Sequence, residues 1–219
     1  MKLDWKLSIM AFFLALISGF SLSPFMNVLG GNILLLSTFA ELLLLAIALL
    51  IGRSSFSWRD LLSEIGFRKP SGTWIVISTI GMTGVWFVVI FMSGVISYFF
   101  PYPPAYEEAV SSLFLQRSLL DSVLWTVQIF LFIGPCEEIL FRGIMQRGFE
   151  NSSGEFLAIL ITSILFAAIH MDLRGMIPRV FLGIVLGFMY TRSKHNIVVP
   201  SIAHGVYDFI GIVLLQTLL

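Results

Sequence analysis

Apolar stretches of about bilayer length recur along almost the whole chain, and no other feature limits its fold as strongly. The hydrocarbon core of a membrane is about 30 Å thick and needs about 20 apolar residues to be crossed as a helix. Residues 7–29, 33–52, 73–100, 122–148, 155–171, 176–191 and 197–219 each read as such a stretch. Without water in the bilayer core, backbone N–H and C=O groups need partners within the protein, which favours helices. The expected fold is therefore all-α: a polytopic transmembrane helical bundle of about seven spans, forming a single integral membrane domain over 1–219. The fifth and sixth stretches are short, so tilted or shielded helices are expected there. Composition points the same way. Charged residues make up 12% and apolar ones 58% of the chain, against about 25% charged in soluble domains.

The opening MKLDWKLSIMAFFLALISGFSLSP carries charge and then apolar residues, as a secretory signal does. Its apolar run is too long for one, and no small-x-small cleavage site follows, so it reads as a retained first span. Gly30-Gly31-Asn32 forms the turn to the second span. Residues 53–72 are polar, and near 57–67 Trp58, Leu61, Leu62 and Ile65 share one helical face, which predicts a short interfacial helix. Prolines break helices, so PYPPAYEEAV is a loop. Basic residues concentrate in cytoplasmic loops. With the N-terminus inside, ten of the 13 fall there: Lys2, Lys6, Arg53, Arg59, Arg68, Lys69, Arg142, Arg147, Arg192 and Lys194. Arg117, Arg174, Arg179 and the acidic pair Glu107-Glu108 fall outside. The expected location is the cell membrane, multi-pass, with a cytoplasmic N-terminus. Thirteen acidic residues balance the basic ones and leave no general nucleic-acid footprint. The single cysteine, Cys136, rules out an internal disulfide.

Ionisable side chains inside a membrane are expensive and therefore need a partner or a task. The apolar stretches hold Glu41, Glu137, Glu138, Arg142, His170, His204 and Asp208. All but Glu41 lie in the second half of the chain. Residues 1–118 thus read as scaffold spans and 119–219 as the part that carries the chemistry. Three pairs are four residues apart, a spacing that puts both members on one helix face: Glu138 with Arg142, Phe166 with His170, and His204 with Asp208. Glu137 points about 100° around the helix from Glu138, free to face a cavity while its neighbour is tied to Arg142. Pro135 removes a backbone donor and crowds the Leu131 carbonyl. With Gly134, it is expected to kink or open the helix just before the acids. Counted from cytoplasmic helix ends at a rise of about 1.5 Å per residue, Glu137, His170, His204 and Asp208 lie roughly 20, 22, 12 and 18 Å deep. A shared layer is within reach of tilt. Glu41 reads as an isolated interhelical hydrogen-bonding group or a channel-side acid, and His195 as a solvated turn residue. Cys136 has no histidine near it in sequence and does not read as a nucleophile.

Glu-Glu-x-x-x-Arg at 137–142, Phe-x-x-x-His at 166–170 and His-x-x-x-Asp at 204–208 follow one another on successive apolar segments. This order resembles the CPBP family of CAAX proteases and bacteriocin-processing enzymes, also called Abi, over about 120–215. The resemblance implies an intramembrane endopeptidase that hydrolyses peptide bonds of membrane-associated proteins or peptides. Carried onto this sequence, it makes Glu137 the general base and His170 the group that holds or helps activate the water. His204 and Asp208 would flank the developing oxyanion, and Glu138 with Arg142 would be a positioning ion pair. Such chemistry needs a base within reach of water and donors aimed at the oxyanion, with no serine or cysteine. An ionised Asp208 cannot donate, so it is either protonated or orients His204.

No cofactor is required by this reading. A divalent metal such as zinc on Glu137, His170 and His204 is the alternative, since two histidines and a carboxylate make a catalytic zinc set, although the His-Glu-x-x-His spacing is absent. Two other functions compete with proteolysis. One is a non-catalytic membrane scaffold or regulator, which the intact motif set disfavours. The other is a proton-coupled carrier, for which the chain lacks paired hydrophobic halves.

Overall fold

The computed structural model describes residues 3–22, 32–106, 108 and 118–218. Lys2, Gly30, Gly31, Glu107 and Arg117 lie outside the described residues. Within them the bundle is all helix: α1 (Trp5–Leu22), α2 (Ile33–Ser55), α3 (Trp58–Glu64), α4 (Gly72–Phe99), α5 (Leu119–Ser153), α6 (Glu155–Ile169), α7 (Met176–Arg192) and α8 (Val198–Leu218). Among the described residues, α2, α4 and α5 are long and apolar enough to cross a membrane, while Trp5–Phe20, Glu155–Ile169 and Val198–Leu214 are shorter apolar stretches.

Several starts are set by capping. Asn32, Ser57, Ser71 and Ser118 each accept a bond from a backbone N–H in the first turn of the helix that follows. Such caps satisfy one of the four orphan donors at a helix start. The α5–α6 corner turns at Gly154, whose φ of 83° favours glycine.

Polarity is distributed in the manner of a membrane protein. Large apolar side chains such as Leu50, Phe91 and Phe156 stand exposed on the outer faces, whereas Arg142 is the largest fully buried side chain among the described residues. Around it, Leu140, Phe141, Phe166, Leu182, Leu186 and Ala203 form one core drawn from α5, α6, α7 and α8. The amphipathic α3 differs from its expected form. Leu61 and Ile65 are sealed in the core, but Trp58 and Leu62 are about half exposed. The apolar positions of α3 are thus split between the bundle and its surface, and Trp58 carries the Arg53 guanidinium over its ring at 5.2 Å.

Two helix crossings position the second half. A Cβ added at Gly183 would sit 2.9 Å from the Ser163 Cβ, so α6 and α7 touch almost backbone to backbone. One added at Gly134 would sit 2.8 Å from the Ser201 carbonyl oxygen, which fixes α5 against α8 directly before the acidic pair.

The break expected near Pro135 takes a definite form. Ile129–Ile133 is a π turn ending at Gly134-Pro135, and a second π segment, Ile139–Gln146, follows the acids. Proline removes a donor from the α ladder, and a wider turn ahead of it absorbs the mismatch. Such bulges are frequent at functional sites.

Candidate active site

α5 brings Glu137 and Glu138 to the centre of the bundle, and the predicted 100° between them separates their surroundings. The Glu138 and Arg142 side chains are 0% and 1% exposed and pair at 2.8 Å across one helical turn. Arg142 also donates to the Gly183 carbonyl at 3.1 Å and lies over the Phe166 ring at 4.7 Å. Its buried charge is therefore met on three sides, as burial of a cation requires.

The same carboxylate oxygen serves α8. His204 Nδ1 lies 2.9 Å from Glu138 Oε1, and a carboxylate oxygen accepts, so Nδ1 carries the proton. His204 Nε2 then faces Asp208, whose Oδ2 is 3.5 Å away. Arg142, Glu138, His204 and Asp208 thus form one chain of contacts across α5 and α8. The Glu138–Arg142 and His204–Asp208 pairs stand as their spacing predicts. The link between them joins residues 66 positions apart and has no local signature.

His170 closes α6. Its Nδ1 is 2.8 Å from the Phe166 carbonyl oxygen, which can only accept, so Nδ1 is again the protonated nitrogen and Nε2 keeps the lone pair. Phe166 stands between the two imidazoles, edge-to-face with His170 at 5.1 Å and with His204 at 5.7 Å. It therefore fixes the orientation of both rings.

Glu137, His170, His204 and Asp208 all line one cavity of about 450 Å³. This joins four of the sequence-predicted residues from three helices. Trp86 and Ile90 of α4, Trp125, Ile129 and Ile133 of α5, and Tyr207, Gly211 and Ile212 of α8 complete its walls. The sequence reading did not include these wall residues. Their signal was present as four-residue spacing (86 and 90; 125, 129 and 133), but that pattern also describes ordinary packing. One Glu137 oxygen is buried without a hydrogen-bond partner, and so is one oxygen of Glu41. Glu41 does not line the cavity, yet it lies within electrostatic range of Glu137 and Asp208. Among the described residues, no three His, Cys, Asp or Glu side chains converge closely enough to hold a metal ion. Cys136 is buried and unpaired.

His195 differs from its expected role. It is not a solvated turn residue, since its Nε2 meets Glu150 at 3.0 Å and its ring packs on Tyr190. Arg147 joins the same group through Glu150 at 3.1 Å and Glu64 at 2.8 Å, tying α3 to the ends of α5 and α7.

Residues 119–210, which contain all three motifs, match the family described as type II CAAX prenyl endopeptidase Rce1-like. A 73-residue part of the chain, 33% of it, is 37% identical to "Putative membrane peptidase YdiL" of Bacillus subtilis (strain 168) and covers 30% of that protein. A 103-residue part, 45% of the chain, is 32% identical to an "Uncharacterized 24.3 kDa protein" of Escherichia coli and covers 47% of it. The chain thus spans between about a third and a half of the curated relatives it matches. No solved structure matches. By its family match and by three motifs in the expected order, the 119–210 segment is similar to the Rce1-like branch of the CPBP family.

Proposed function

We propose that this chain is an intramembrane endopeptidase that hydrolyses peptide bonds of membrane-associated proteins or peptides with activated water. The observation that carries the proposal is the shared cavity, where a carboxylate with an unpartnered oxygen meets two oriented imidazoles and a second carboxylate.

In this reading a water sits between Glu137 and the Nε2 lone pair of His170. Glu137 takes its proton as the oxygen attacks the scissile carbonyl carbon. The carbonyl electron pair moves onto oxygen, and the resulting oxyanion is met by His204 Nε2–H. His204 can play that part because Glu138 holds Nδ1–H, leaving Nε2 turned to the cavity. Asp208, whose Oδ2 lies 3.5 Å from that nitrogen, is the counter-charge for the doubly protonated ring. It acts through His204, and so needs no proton of its own to donate. Collapse of the intermediate breaks the C–N bond, and Glu137 returns its proton to the leaving amine. Glu138 with Arg142 holds the geometry. Oriented donors of this kind act most strongly where water is excluded.

The proposed setting is the cell membrane, with seven spans and the N-terminus in the cytoplasm. The reading draws on the uneven distribution of basic residues.

The test compares membrane proteomes of cells carrying the wild-type chain and Glu137→Gln. One or more uncut membrane proteins should accumulate in the variant. The purified wild type in liposomes should cleave that protein, and Glu137→Gln should be slower on the order of 10³-fold, the scale of general base catalysis. Full cleavage by Glu137→Gln would reject the base assignment.

A further inference from the structure

His170 owes its place to contacts on both sides. Toward α6 its ring is held by the Phe166 carbonyl. On the other side the chain turns sharply at Met171, whose φ of 53° is a left-handed conformation uncommon for a non-glycine residue. A strained turn of this kind persists where its surroundings over-determine it.

Asp172 supplies that surround. Its carboxylate lies 2.9 and 3.0 Å from the Tyr102 hydroxyl, which donates to it. Arg179 of α7 donates to Asp172 Oδ2 at 2.8 Å, and the Arg174 N–H donates to Oδ1 at 3.1 Å. Tyr102 is itself held, stacked on Tyr106 at 4.9 Å and covered by the Arg174 guanidinium at 4.5 Å. Tyr102 follows the end of α4, the helix that supplies Trp86 and Ile90 to the cavity wall. One carboxylate thus fastens the exit of α4, the start of α7 and the turn behind His170.

We propose that the Tyr102–Asp172–Arg179 clasp is a positioning device for His170 that also holds α4 against the cavity. The inference deepens the protease reading and rests on the role of His170 in it. None of the three side chains lines the cavity, so each acts through His170 or α4. Displacing a reacting group by about 1 Å costs on the order of 10²-fold in rate. Clasp variants should therefore lose turnover while largely keeping substrate binding.

The chain has three histidines, so ¹⁵N-histidine labelling of the full-length protein in liposomes gives a small set of ring signals. His170→Gln and His204→Gln assign them. Tyr102→Phe deletes one hydroxyl and keeps the ring stack, and Asp172→Asn weakens both arms. Both variants should move the His170 signals and leave those of His195, at the other end of α7, in place. With the protein found to accumulate in the Glu137→Gln proteome as substrate, kcat should fall about tenfold or more while KM stays within about twofold. Arg179→Lys, which keeps the charge, should restore part of the loss seen in Arg179→Gln. Unmoved His170 signals in both clasp variants overturn the proposal, as does a shift of all three histidines together, which would mean general loosening. A wild type that cleaves nothing would reject the protease reading, and the ring signals would still decide the clasp.

Discussion

Replacing Arg142 with methionine should damage this protein more than any other single change at its centre. The side chain is 1% exposed and meets Glu138, the Gly183 carbonyl and the Phe166 ring. Methionine of similar length fills much of the volume but leaves the 0% exposed Glu138 carboxylate without its cation. Breaking a buried pair in this way costs about 3–5 kcal/mol. For a chain of this size, 1 kcal/mol moves the melting midpoint by about 2–4 °C, so a fall of roughly 10 °C is expected. Glu138→Leu combined with Arg142→Met removes both charges, and apolar replacement of a buried pair is often close to neutral. What remains is the His204 Nδ1–H without an acceptor, worth about 1–3 kcal/mol. The double variant should therefore be more stable than the single one by about 2 kcal/mol, yet inactive, because His204 has lost its tether. Thermal unfolding of the purified variants in one detergent, alongside cleavage in liposomes, separates the two effects. An Arg142→Met midpoint within about 2 °C of wild type would refute the reasoning, because 3 kcal/mol predicts a larger shift. So would a double variant less stable than the single.

Two further outcomes are expected. Gly134→Ala should cost about 1–3 kcal/mol, because the new Cβ meets the Ser201 backbone at 2.8 Å, whereas at Gly205 it meets the Phe130 ring at 2.7 Å; a side chain yields more easily, so Gly205→Ala should unfold at the higher temperature of the two. The clasp should be indifferent to pH through the neutral range. Burial pushes the Asp172 carboxyl up, but the bonds from Arg179, the Gly175 N–H and Tyr102 outweigh it and hold the group below its ordinary value. Its contribution is complete above about pH 4 and fades as pH falls through the lowered folded value. Burial and the Asp172 bond push the Tyr102 hydroxyl up to about 12, so its contribution is complete below about pH 10 and fades as pH climbs toward that value. The stability difference between wild type and Tyr102→Phe should be flat from about pH 5 to 9; a midpoint near neutrality would contradict both assignments.

What could be read from the linear chain follows from the range of each interaction. The helices announce themselves because lipid imposes a length, and Glu138–Arg142 because four residues make one turn. The separation of Glu137 from Glu138 needed only helical geometry. The Glu138–His204 bond and the clasp between Tyr102 and Asp172 join partners 66 and 70 positions apart, and no periodicity records them. His195 is hidden for the same reason: a basic turn looks solvated until Glu150 and Tyr190 arrive from elsewhere. Pro135 signalled a break, but whether a helix answers proline by bending or by widening depends on what packs around it.

That widening bears on how α5 builds a wall. Trp125, Ile129, Ile133 and Glu137 are spaced by four and all border the same hollow. In an ordinary α-helix each step of four overshoots a full revolution by about 40°, so three steps would swing the last residue about 120° from the first. The π turn over Ile129–Ile133 spends more residues per revolution and takes back part of that drift. The bearing of Glu137 is therefore written partly in residue count. Removing one residue there would aim the acid away from the hollow without altering a single side chain of the motifs.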